Sequence, residues 1–560
     1  MARLILVAAL VLLGGCYGDA SLDAPGPGAG NGPGRGPGGG PNCGPECDQP
    51  APAALARRLT HTQWESSVRD LLRLDALPGL STQFTGDTSA GIFDSHVAGL
   101  KVGATLWADY QRAAETLAAQ ITASDANVQR IVPANLPADP AAKARAFIDA
   151  FGRRAYRRPL TAAELDRHLS IFQNGTALTG VTDPFRAGVR ITVQAMLQSP
   201  LFLYRVEQGG EAGQGEILLT GWELASRLSF ALWNTMPDDA LLEAAASGAL
   251  ATPEGLEAEA KRMLIDPRAR AMLGRFHHQL FDLDQIKAIT RDPAKYPGLT
   301  GNFGEALATE VRLFVDDVVF TRTEGLNAVL TSTRTFANAE VASVYGVTPA
   351  SGGNTFVPVE LDPAQRSGLL TRAGFLAAYG HGDESDPIRR GVFVNLRLLC
   401  SDLPPPPNNV PPLPPSTGKT TRERVDEHTG PGTCGAGCHS TYINPVGFAF
   451  ENYDGLGRHR TEENGFPVDA TAEFNLQNGD RLRYADARDF SAQLAGALQT
   501  HRCYARHWVE YVFGRDEVDA DDNLIERLAT RSLEGTSVQQ LVLDLVTSRG
   551  FRARPVESTP

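Results

Sequence analysis

The chain has 560 residues, 42% hydrophobic and 21% charged, a globular balance with material for several domains of about 100–200 residues. Its formal net charge of -13 argues against a nucleic-acid partner, because phosphate binding needs a basic face. There are seven cysteines, an odd number until one of them is assigned a separate task.

The first residues assign it. Arg3 is followed by an apolar run from Leu4 to Leu13, too short to span a bilayer, and then by Leu13-Gly14-Gly15-Cys16. This pattern predicts a lipoprotein signal peptide over 1–15, cut before a lipid-bearing Cys16. A Gly/Pro-rich tether over 16–50 follows, with Cys43-Gly-Pro-Glu-Cys47 inside it as a small local disulfide. Tyr17 stands where an aspartate would signal inner-membrane retention, so the expected location is the cell envelope, lipid-anchored at the outer membrane. The membrane is then the first partner, and no later segment is apolar enough to cross it.

The body reads as mainly α, in several packed helical modules with minor β hairpins. Three T-x-x-E capping boxes, Thr62 to Glu65, Thr161 to Glu164 and Thr220 to Glu223, each precede apolar residues spaced three and four apart. Further helices are predicted over 256–264, 276–283, 303–319, 364–379 and 387–399. A proline-rich passage runs from Pro404 to Pro415. Phe466 to Phe474 and Arg481 to Tyr484, joined through Asn478-Gly479, predict a hairpin, and helices over 490–513 and 538–546 close the chain. The expected modules are 51–130, 140–205, 206–345, 346–415, a Cys/His segment over 416–475, and 476–560.

Thr433-Cys434-Gly435-Ala436-Gly437-Cys438-His439 carries the strongest chemistry. Two thiols followed at once by histidine is the logic of covalent haem attachment: the thiols add to the vinyl groups and the histidine binds iron. The spacing is one residue longer than the usual C-x-x-C-H. Two alternatives stand beside haem c. One is a disulfide between Cys434 and Cys438. The other is a zinc site built from Cys434, Cys438, His439 and Cys400. If Cys434 and Cys438 are otherwise engaged, Cys400 and Cys503 are left to pair. Downstream, Phe448, Phe450, Tyr453 and Leu456 are candidates to wall an apolar pocket. Glu451 and Asp454 are a possible polar site, as propionate partners, as acid and base, or as plain turn caps.

Cys438-His439, with Asn444-Pro445-x-Gly447-Phe448-Ala449-Phe450-Glu451-x-Tyr453-Asp454-x-x-Gly457, resembles the exported multi-module proteins labelled planctomycete cytochrome-associated, also found in myxobacteria. Arg58-Leu59 through Leu72, Phe151 through Thr161, Ser199-Pro200 through Trp233, Arg366 through Cys400, and Cys503 with Phe513-Gly514-Arg515 resemble its five consecutive domains of unknown function. The resemblance implies a cytochrome-like role and nothing finer.

Three functions compete. The first is electron transfer or haem-dependent oxidation with a redox partner, for which His381 in Tyr379-Gly380-His381-Gly382 is the expected second iron ligand. His428 and His459 rank behind it, and Met196, Met236, Met263 and Met272 lie on apparent core helices. The second is a haem-free envelope scaffold or substrate-binding protein with disulfide-stapled modules. His277-His278 fits it as a packed pair, and no nucleophile elbow, H-E-x-x-H or phosphate loop is present. The third is a polysaccharide-active enzyme using Glu451 and Asp454.

Overall fold

The computed structural model describes residues 48–50 and 56–556, except 211, 214, 293, 295, 297, 350, 351, 383, 405–412, 415–417 and 434. The expected signal peptide, Cys16, Cys43, Cys47, Cys434 and most of the proline-rich passage lie outside the described residues. The architecture is mainly helical, with short antiparallel strand pairs at its joints. Among the described residues, no helix is long and apolar enough to cross a membrane.

Two capping boxes form as the sequence predicts. Thr161 caps Ala162–Gln173 with Glu164, and Thr220 caps Gly221–Trp233 with Glu223. The first box is shifted. Helix α1, His61–Leu72, is capped by Thr60 and Gln63, an equivalent T-x-x-Q pair two residues upstream of Thr62. Glu65, freed from capping, is buried and accepts the Gly79 N–H at 3.0 Å.

Two hydrophobic cores result. Leu59 through Leu203, with Phe230 and Met236, pack around one, and Leu219 through Phe551, with Phe93, pack around the other. The larger core is continuous across the third, fourth and fifth stretches of resemblance. The helix expected over 364–379 shrinks to Ala373–Ala378. Gly368, at φ +59°, lies so close to Leu330 that a Cβ there would stand 2.0 Å from its carbonyl carbon, and this left-handed turn interrupts the helix. The hairpin is also narrower than predicted. Ala472–Asn475 pairs with Arg481–Tyr484, whereas Phe466–Pro467 pairs with Glu462–Glu463.

The two ends of the body meet. Strand β1, Ala56–Arg58, pairs with β2, Tyr204–Val206. Both terminal nitrogens of Arg57 donate to the Val512 carbonyl at 3.2 Å. Asp48 forms a buried ion pair with Arg527. Motif arginines act as backbone clasps: buried Arg157 donates to the carbonyls of Ala155, Leu201, Phe202 and Tyr204.

Candidate functional site

The Cys/His segment rests on α2, Pro387–Arg397. It is entered through α3, Thr421–Thr429, and then runs through a helical turn at Ala436–Cys438, a π turn at His439–Ile443, and α4, Asn444–Phe448. α2 and α4 touch backbone to backbone. A Cβ on Gly447 would stand 1.9 Å from the Pro387 oxygen, and one on Gly391 would stand 2.3 Å from the Ile443 oxygen. Asn395 adds a hydrogen bond to the Tyr442 carbonyl at 2.9 Å. The π turn is therefore held by its neighbours, and such turns often mark functional positions.

Cys438 is a free, half-buried thiol, and half-buried His439 follows it on the same turn. The imidazole's protonation is set by a relay. Thr429 Oγ1 donates to the Val425 carbonyl at 2.8 Å, so it accepts the Asn444 amide N–H at 3.0 Å. The Asp426 carboxyl also takes a hydrogen bond from Asn444. Asn444 therefore turns its oxygen toward His439 Nδ1, at 3.2 Å. Nδ1 carries the proton and Nε2 keeps a lone pair, the arrangement of a metal-binding histidine with an outer hydrogen bond. Burial lowers the His439 pKa and favours this neutral form.

The aromatic residues downstream do not wall an open pocket. Phe448, Phe450, Tyr453 and Leu456 are at most 4% exposed, and Phe450 packs on Phe375 and Phe490 as part of the larger core. Arg390 holds this turn from inside by donating to the carbonyls of Leu376, Phe450, Tyr453 and Asp454. Burial brings its pKa down to about 10. Asp454 is a turn cap: its Oδ1 accepts the N–H groups of Leu456 and Arg458, and it pairs with the Arg458 guanidinium. Glu451 is buried. Its Oε2 accepts from Ser385 Oγ at 3.1 Å and faces Arg460 at 3.5 Å, and burial pushes its pKa up to about 7.

His381 is exposed, with its backbone paired to Glu384, and Arg424 of α3 binds the Glu384 carboxylate at 3.0 Å. His428 is half-buried on α3, and His459 sits edge-on to Tyr453. Met196, Met236, Met263 and Met272 are buried. His277 is buried, donating from Nδ1 to the Leu273 carbonyl and accepting the Tyr504 hydroxyl at Nε2. Its neighbour His278 faces Asp284, so the two do not converge.

Cys400 and Cys503 form a disulfide. This removes Cys400 from the four-ligand zinc arrangement, because its sulfur is already bonded 103 positions away. Beside the disulfide stands a residue that sequence reasoning missed. His507 Nε2 is 3.5 Å from Cys400 Sγ and 3.4 Å from Cys503 Sγ, and its Nδ1 donates to Glu510 Oε2 at 3.0 Å. Burial raises the Glu510 pKa, but the bonds from His507 and Arg506 outweigh it and hold the carboxyl below its ordinary value. The signal was available: Cys503, His507 and Glu510 are spaced i, i+4, i+7, one face of a helix. The disulfide opens on a cavity of about 470 Å³ whose lining includes Phe93, His96, Asp402, Arg506 and Asp516.

Five family models match in succession, each described as a protein of unknown function: DUF1587 over 57–123, DUF1595 over 143–207, DUF1592 over 219–347, DUF1588 over 366–463 and DUF1585 over 480–551. No curated protein and no solved structure matches the chain.

Proposed function

The chain belongs to the planctomycete cytochrome-associated multi-module family, whose five domains of unknown function it carries in succession, and from that premise we propose that it is a lipid-anchored cell-envelope protein that binds haem c at Cys434, Cys438 and His439. The observation that carries this is the relay from Thr429 through Asn444, which leaves the His439 Nε2 lone pair free. The free thiol of Cys438, one residue before it, fits the same group. A bound haem supplies one-electron transfer.

The residues around it have separate tasks. Asn444 orients the imidazole, α2 fixes the turn from below, and Arg390 keeps the following turn in register. His381, on a turn tied to α3 through Glu384, remains the second-ligand candidate. Its exposure suits a side chain that must swing toward a group added at the surface. The role is electron transfer with a redox partner at the envelope, and the lipid on Cys16 keeps the body at the membrane, outer-membrane side.

The test is expression of the full chain with a cytochrome maturation system. Covalent pigment that survives acid-acetone extraction, a pyridine haemochrome spectrum and an intact mass raised by one haem are expected. His439→Ala should abolish normal maturation. An unshifted mass, with Cys434 and Cys438 recovered as one disulfide, would leave a haem-free scaffold in its place.

A further inference from the structure

The Cys400–Cys503 pair has a feature that a simple staple does not need: an imidazole in contact with both sulfurs, backed by a carboxylate and facing a cavity. We propose that this disulfide is a redox centre that exchanges two electrons and two protons with a dithiol entering that cavity, with His507 as its acid–base group. The site shares no residue with the Cys438–His439 segment and does not depend on haem.

Four observations carry it. His507 is nearly equidistant from the two sulfurs, so it serves whichever one leaves as thiolate. Glu510 accepts the hydrogen bond from Nδ1–H, which points the Nε2 lone pair at the sulfurs. The two sulfurs are unequal: Cys503 is 2% exposed, whereas Cys400 is half-buried and lines the cavity, so attack comes at Cys400. Finally, Cys400 holds φ +48°, a left-handed backbone that residues with a Cβ rarely adopt and that tends to occur at functional positions. The groups facing the imidazole are Glu510 and Arg506 from its own helix, Asp402 from beyond Cys400, and the His96–Asp516 pair across the cavity.

The step balances within these groups. An incoming thiol gives its proton to His507 Nε2, and its thiolate attacks Cys400 Sγ. A bond forms between the incoming sulfur and Cys400, and the Cys400–Cys503 bond breaks. Cys503 leaves as a thiolate and takes the proton back from His507. The second thiol of the same molecule attacks the mixed disulfide at the incoming sulfur and releases Cys400, which takes the second proton. The dithiol is oxidised to a disulfide, and Cys400 and Cys503 are reduced to thiols.

The experiment treats the full-length protein with dithiothreitol in native buffer, quenches with an alkylating agent, and counts labelled Cys400 and Cys503 by peptide mass. Global unfolding is timed on the same sample by hydrogen exchange. Reduction about tenfold or more faster than unfolding is expected, with His507→Asn slower by about tenfold or more. Glu510→Gln, which keeps the imidazole, should fall between. Should His507→Asn not fold, the native-rate comparison and Glu510→Gln decide alone. In Cys503→Ser, glutathione disulfide should form a mixed disulfide at Cys400. Reduction only at the rate of global unfolding, or rates indifferent to both substitutions, would overturn the proposal.

Discussion

Asn444 presents its amide oxygen to His439 Nδ1 at 3.2 Å, and it has no freedom to present the amide nitrogen instead. Thr429 spends its own proton on the Val425 carbonyl, so the Asn444 N–H must face Thr429. Replacing Asn444 by Leu removes the acceptor and frees the imidazole to turn. In pigmented protein, exogenous imidazole should then displace His439 at concentrations lower by about 10–100-fold, the usual effect of losing an outer hydrogen bond to a metal ligand. A spectroscopic titration reads this directly, and an unchanged midpoint would remove Asn444 from the iron site.

Arg390 answers four main-chain carbonyls with one side chain, three of these bonds fully buried. Methionine fills much of the volume and answers none, and lysine offers a compact ammonium in place of the planar fork. Arg390→Met should lower stability by about 3 kcal/mol or more, since each buried polar group left unpaired costs about 1–3 kcal/mol. Arg390→Lys should be only partly protective. Urea denaturation followed by circular dichroism checks both.

Glu451 makes stability depend on pH in a defined direction. Burial raises its pKa from 4.5 to about 7, so the folded protein binds a proton more tightly than the unfolded chain does. Its contribution is fully present below about pH 4.5 and is lost as pH rises through 7. Glu451→Gln removes this component. The stability of the unmutated protein relative to Glu451→Gln should fall by roughly 2–4 kcal/mol between pH 4.5 and 8, at about 1.4 kcal/mol per pKa unit. A flat difference across that window would show that Arg460 keeps the carboxylate charged throughout.

The disulfide also constrains the unfolded chain. It closes a loop across 103 positions, worth roughly 5 kcal/mol in the chain-entropy model. The double substitution Cys400→Ala/Cys503→Ala should lower the unfolding free energy by about that amount. Dithiothreitol should lower the midpoint of the unmutated protein by more than that of the double variant. Equal midpoints for the two oxidised proteins would mean that the pairing carries no stability.

Lipid attachment is expected at Cys16 alone. A fatty-acid probe should label the full chain in cells and should not label Cys16→Ser. Continued labelling of that variant would place the lipid elsewhere.

Helix punctuation was the most legible level of the sequence, because a Thr cap with its Glu partner is local chemistry. Thr161 and Thr220 start their helices as predicted, and Ser537 caps Val538–Val546. The first box misled because Thr60 and Gln63 offer the same chemistry two residues earlier. The Cys400–Cys503 pairing was legible by elimination. The spacing of Cys503, His507 and Glu510 is visible in the sequence, but the contact of His507 with both sulfurs exists only once Cys400, just beyond the end of α2, packs against it. Glu451 and Asp454 look alike in sequence, and only packing separates a buried carboxyl from a turn cap. The motif arginines Arg157 and Arg390 carry no periodic signal, since their partners are main-chain oxygens that exist as a set only after folding.

The meeting of the two ends also fixes the order in which the body can be completed. Asp48 waits for Arg527, 479 positions later, and Arg57 waits for the Val512 carbonyl, 455 positions later. A chain emerging from its N-terminus can fold the first core early, but the joint made by Asp48 and Arg57 closes only when the last helices have been made. A product shortened before residue 512 would lack both Val512 and Arg527, so Arg57 and Asp48 would stay without these distant partners even where the first core had formed.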